Sequence, residues 1–160
     1  MADTQWLAEE PPQRHFKTGN GLLVTLYLYG DELDPDTVSA AVGVAADRSR
    51  RKGPYQGSTT GRTYLQRHGF WSIDSGIESD DLHEHLKAIL DRLPDPGMNL
   101  MSLPQVTSGR FDVLVQHPNA GSDTSPHIGF LLEAHEVEAL ARLGVCFELT
   151  FYLDDWYCED

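Results

Sequence analysis

The sequence predicts an α+β domain, a two-layer sandwich in which helices pack on a mixed or mainly antiparallel sheet, with ferredoxin-like topology as one option. Three observations carry this. The stretches GLLVTLYLYG at 21–30 and VCFELTFYLDD at 145–155 alternate side chains with period two, as strands do. The stretch SDDLHEHLKAILDRLPDPG at 79–97 places Leu82, Leu86, Ile89, Leu90 and Leu93 on one helical stripe. The third is the order along the chain, which reads strand, helix, strand, helix, strand, strand, helix, strand.

In the first strand Leu22, Val24, Leu26 and Leu28 share one face, and Leu23, Thr25, Tyr27 and Tyr29 share the other. Apolar residues on both faces predict a strand covered on both sides. DELDPDTVSAAVG follows, in which Asp34 can cap a first turn, Pro35 suits the first helical position and Gly43 can close the end. This predicts a short helix over about 35–42. Residues 48–67 hold Gly53, Pro54, Gly57 and Gly61 and read as a long loop.

GFWSIDS predicts a short strand with Trp71 in the core, since a strand aromatic usually packs inward. The striped helix carries acids in its first turn and stops at Pro94. RFDVLVQH alternates Phe111, Val113 and Val115, and HIGFLLE reads as its antiparallel neighbour across the loop NAGSDTSP. EAHEVEALARLG predicts a third helix ending at Gly144, before the closing strand.

A chain of 160 residues with 40% hydrophobic content fits a single domain over 1–160, its core at about 20–154. The lead 1–19 and the acidic tail 155–160 read as peripheral. Neither a basic start with an apolar run nor a bilayer-length apolar segment is present, so a cytoplasmic protein without membrane contact is expected. Cys146 and Cys158 read as plain thiols, since two cysteines make neither a disulfide framework nor a zinc site.

Charge discriminates further. The formal net charge is −13, and all 25 Asp and Glu lie outside residues 48–67. That window holds Arg48, Arg50, Arg51, Lys52, Arg62 and Arg67, six of the twelve Lys and Arg, so it is +6 while the remainder is 6 − 25 = −19. Bulk affinity for nucleic acid is therefore not expected. A local cluster can still hold an anion, because arginine offers a planar fork and glycines let backbone N–H groups approach. The candidate ligand-binding residues are Arg48, Arg50, Arg51, Lys52, Tyr55, Arg62, Tyr64 and Arg67. The plainer reading is a solvated loop whose cations pair with neighbouring acids.

Other motifs fall short of chemistry. GPYQGSTTGR lacks the Gly-Lys-Ser/Thr ending of a phosphate loop. His83 and His85 point to nearly opposite helix faces, whereas Asp81 and His85 share one and permit an ion pair. HEVEA at 135–139 has Ala139 where a zinc-binding second histidine is required, and DELDPD does not match a calcium loop. Ser122, Asp123, Ser125 and His127 read as hairpin-turn chemistry, and no GxSxG elbow occurs. No metal and no cofactor is expected, and catalytic residues are not assigned.

The order of LYLYGDELDPDTVSAAVGV, the glycine-bearing basic loop, GFWSIDS, DLHEHLKAILDRL and HEVEALARLGVCFELTFYLD resembles the bacterial family called domain of unknown function 4279, from about residue 22 to about 154. The resemblance implies the fold and supplies no catalytic residues. By analogy, families of this size and composition include immunity proteins of toxin systems. The expectation is a small cytoplasmic binding protein without catalysis, an immunity-type protein being one version, that meets a protein partner through its acidic surface. The alternative is an enzyme or sensor that binds a small anionic ligand at the basic loop.

Overall fold

The computed structural model describes residues 21–57, 61–117 and 130–153. Along these segments run β1 (Gly21–Gly30), α1 (Pro35–Val42), β2 (Arg48–Arg50), β3 (Gly53–Gln56), β4 (Thr63–Gln66), β5 (Gly69–Asp74), α2 (Leu82–Arg92), a single 3-10 turn, β6 (Ser108–His117), α3 (Ala134–Leu143) and β7 (Cys146–Leu153). Five strands form one mixed sheet in the order β2-β5-β1-β6-β7, and β3 pairs with β4 as a separate hairpin. The α+β class stands.

β1 takes the centre because both of its neighbours match its alternation. It runs antiparallel to β5 and β6, with Leu26 opposite Ile73 and Phe111, and Leu28 opposite Trp71 and Gly109. β5 and β6 are thus parallel to each other with β1 between them, a split β-α-β unit closed by α2. β6 and β7 form a directly adjacent parallel pair closed by α3, where a ferredoxin-like topology would repeat the split unit.

The core lies on one face of this sheet. Val24, Leu26, Leu28, Trp71, Ile73, Phe111 and Val113 are fully buried there, against Val38 and Val42 of α1, Leu82, Leu86 and Ile89 of α2, and Leu140 and Leu143 of α3. Each such side chain stabilises the fold by about 1.5–3 kcal/mol through burial. Trp71 also donates its indole N–H to Ser39 Oγ at 2.9 Å, which satisfies the ring's one polar group and ties α1 to β5.

Local chemistry sets the helix ends. Asp34 accepts the Asp36 N–H, Pro35 occupies the first position, and Gly43 closes α1 at φ +80°. Asp81 caps α2 by accepting the His83 N–H at 2.9 Å. Its carboxylate therefore caps the helix, and the ion pair with His85 that the spacing permits is not made. Glu136 accepts the Glu133 N–H at 2.8 Å, half of a capping box, and Gly144 closes α3 in the left-handed region.

Two expectations are corrected. Residues 48–67 are not one loop: β2 joins the sheet edge beside β5, and Tyr55 and Tyr64 stand opposite each other in the β3–β4 hairpin. Tyr and Thr favour strands, and the stacked rings at 5.6 Å supply a cross-strand contact that outweighs the glycines. HIGFLLE is not the partner of β6 over its described part, because residues 130–133 form no strand and β6 has β1 and β7 at its two sides. No helix among the described residues is long and apolar enough to cross a membrane.

Trp71→Ala is expected to cost about 3–5 kcal/mol of stability, since it removes a fully buried indole and strands the Ser39 hydroxyl. Urea unfolding followed by circular dichroism measures this. Trp71→Phe, which keeps an aromatic ring in place, is expected to lose less than half as much.

Candidate functional site

The face of the sheet opposite the core carries polar and aromatic side chains, because every second residue of each strand points there. Arg48, Ser72, Tyr27 and Arg110 lie in one register row across β2, β5, β1 and β6. The Arg48 and Arg110 guanidinium carbons lie 5.8 and 6.0 Å from the centre of the Tyr27 ring, within cation-π range. Tyr27 and Tyr29 stack at 5.5 Å, and Arg110 also lies 5.4 Å from the Tyr29 ring.

Each arginine is held twice. Arg48 Nη2 donates to the Tyr27 hydroxyl at 3.2 Å and to Asp74 Oδ1 at 2.9 Å, and Thr25 Oγ1 donates to the same carboxylate oxygen at 2.6 Å. Arg110 donates from Nη1 to Glu148 at 2.6 Å and from Nη2 to the Tyr29 hydroxyl at 3.3 Å. The Nε groups of Arg48 and Arg110 are buried and find no acceptor among the described residues. A buried donor left without an acceptor costs about 1–3 kcal/mol, while the carboxylates of Asp74, Asp112 and Glu148 on the same face supply opposing negative charge. Burial pushes the Tyr29 hydroxyl pKa up against the opposing charge of Arg110, which keeps its proton available to donate.

The structure divides the sequence-predicted window between three places. Arg48 belongs to the array just described. Arg51 pairs with Asp34 at 2.7 Å and Asp36 at 3.3 Å, and Lys52 pairs with Asp31 at 3.0 Å, so both lie against the β1–α1 turn. His68 joins Asp31 at 2.5 Å, and the bonds from His68 and Lys52 hold the Asp31 carboxyl below its usual range. Arg50 stacks 3.4 Å over the Tyr55 ring, whose other neighbour is the buried Tyr64. Arg62 and Arg67 are exposed near the hairpin.

Arg110, Tyr27 and Tyr29 were not among the predicted site residues. The period-two pattern placed both tyrosines on the face away from Leu26 and Leu28. The arrival of Arg110 beside them depends on the β1–β6 register, which no local motif encodes.

The histidines have separate structural roles. His85 is fully buried, with Nε2 3.0 Å from the Ser79 carbonyl and Nδ1 2.6 Å from Ser75 Oγ. A carbonyl only accepts, so Nε2 carries a proton and donates to it, while Nδ1 and the Ser75 hydroxyl share the second hydrogen bond. This pins the β5–α2 connection. His83 Nδ1 meets Glu136 Oε1 at 2.6 Å and joins α2 to α3. Among the described residues no three His, Cys, Asp or Glu side chains gather to hold a metal. Cys146 is a free, exposed thiol on β7. Ser122, Asp123, Ser125, His127 and Cys158 lie outside the described residues.

Compared with known proteins, residues 17–154 match the family model described as domain of unknown function DUF4279. No curated protein and no solved structure matches the chain.

The His83–Glu136 contact predicts a pH-dependent term in stability. The bond to Glu136 raises the His83 pKa above its ordinary 6.5, so its stabilisation is complete below pH 6.5 and is lost as pH rises through the raised value. Burial pushes the Glu136 carboxyl up, but the His83 and Glu133 N–H bonds outweigh it and leave the pKa below its ordinary 4.5. Its contribution is present above pH 4.5 and is lost as pH falls through the lowered value. Thermal unfolding midpoints of wild type and His83→Gln are expected to differ most between those two values and to converge in alkaline solution.

Proposed function

The chain belongs to the family of domain of unknown function 4279, and we propose that it is a small cytoplasmic, non-catalytic binding protein that docks a basic protein partner through its acidic surface. One observation carries this reading: cations of the basic window are answered from within the domain, Arg48 by Asp74, Arg51 by Asp34 and Asp36, and Lys52 by Asp31. With these three cations answered at close range, the protein's net −13 is the dominant long-range field.

The stretch 78–84 bears Glu78, Asp80, Asp81 and Glu84 with no Lys or Arg. The His83–Glu136 contact brings it beside α3, which adds Glu133 at its start and an exposed Glu138 that Arg142 partly offsets at 2.5 Å. That end of the helical layer is where a basic partner would gain most from steering. Neutralisation of a basic toxin, the immunity-type role, is one specific form of this function.

A second reading is favoured by the unfilled Nε donors of Arg48 and Arg110. In it, a small carboxylate or phosphate binds the arginine and tyrosine face of the sheet, and the rest of the window contributes little.

Capture from the native host's lysate separates the two readings. The acidic-surface reading predicts a protein partner that is shed at high salt, is lost by at least about tenfold with Asp80→Lys plus Glu138→Lys, and is kept by Arg50→Glu plus Arg51→Glu plus Lys52→Glu. Retention of a small anion that is lost on Arg110→Gln, with no salt-sensitive protein partner, would move the function to the sheet face.

A further inference from the structure

The two edges of the five-stranded sheet are built differently. β2 is three residues long and carries Arg48 and Arg50, a short charged strand of the kind that resists further pairing. β7 is eight residues long, CFELTFYL, with no proline, no lysine or arginine, and Glu148 as its one charge. It is bonded to β6 on one side, and among the described residues no strand pairs with its other side.

The apolar rows of the core also run out at this edge. Val24 pairs with Val113 and Val113 with Leu149, while Leu22 pairs with Val115 and Val115 with Phe151. Val24 and Val113 are wholly buried, yet Leu149 is 39% and Phe151 53% exposed. The hydrophobic layer therefore reaches the last strand, where it is left partly exposed among the described residues.

We propose that β7 is a self-association edge, at which a second copy of this chain pairs antiparallel with it about a two-fold axis and continues the sheet. The sequence of β7 fits itself in that arrangement. Residues opposite each other across an antiparallel pair share a face. An axis at Leu149 sets Leu149 against its own copy, Phe147 against Phe151 and Glu148 against Thr150. An axis one residue earlier would set the two Glu148 side chains face to face. Pairing at Leu149 joins the core layers of the two copies into one and makes the isologous contact of a closed dimer.

This inference is independent of the proposed partner docking, and salt separates the two. Each copy carries −13, so repulsion opposes an association driven by apolar contact and backbone hydrogen bonds. Added salt screens that repulsion and tightens the dimer, whereas it loosens docking of a basic partner.

Sedimentation velocity of the full chain over a concentration series, at low and high salt, tests the proposal. The expected result is a monomer–dimer equilibrium that shifts toward dimer with salt. Leu149→Lys and Phe151→Lys are each expected to weaken it by at least about tenfold, and Ser49→Lys at the opposite edge is expected to leave it unchanged. Circular dichroism checks that each variant is folded, and Leu149→Gln replaces either lysine variant that is not. A wild-type chain that stays monomeric throughout at high salt would overturn the proposal. So would a dimer that the folded β7 variants leave intact.

Discussion

The alternation of β1, fixed between two antiparallel partners, is the constraint on which the rest of the structure depends. With Val24, Leu26 and Leu28 inward, Thr25, Tyr27 and Tyr29 must face the other way, and a slip of one residue would exchange the two sets. The helices can cover only the apolar face. The register that buries Leu26 between Ile73 and Phe111 also brings Arg48 and Arg110 to the two sides of Tyr27. Core and candidate site are consequences of one strand pairing.

Electrostatics then locks neighbouring elements onto this frame. Arg92, near the end of α2, grips both oxygens of Asp47 at 2.5 and 2.8 Å and donates to the Asp74 carbonyl at 2.7 Å. Asp47 also accepts the Asp74 N–H, so one carboxylate joins α2 to the strand end beside β2. The bond to Arg92 holds the Asp47 pKa low despite partial burial. Asp31, Asp34 and Asp36 do comparable work for Arg51 and Lys52. An acidic protein can thus carry a basic segment as part of its own framework, with the surplus acids left to act at a distance.

Much of this was legible in the sequence where a single segment held the whole signal. α1 begins and ends where Asp34, Pro35 and Gly43 place it, Trp71 lies in the core, and the leucine stripe of α2 faces the sheet. Legibility failed where the answer lay in a distant partner. Glycines made residues 48–67 read as loop, although β2 needs only β5 beside it and β3 needs only β4. HIGFLLE resembled a hairpin partner for β6, but β1, some ninety residues earlier in the chain, and the parallel β7 hold those positions. Arg110 stayed hidden for the same reason, since its neighbours come from another strand.

The central claim is that Arg48, Arg51 and Lys52 of the basic window are answered by the protein's own acids, and the Asp31 carboxyl, which receives Lys52, tests it most directly. Asp31 receives both Lys52 and His68 and has no other reason to titrate low. Its side-chain carboxyl carbon should be followed by NMR across acid pH in wild type and in Lys52→Ala plus His68→Ala. The account predicts a pKa below the ordinary 3.8 in wild type and a return toward that value in the double variant. An ordinary pKa in both proteins would show that Lys52 and His68 do not hold the Asp31 carboxylate, and would contradict the account.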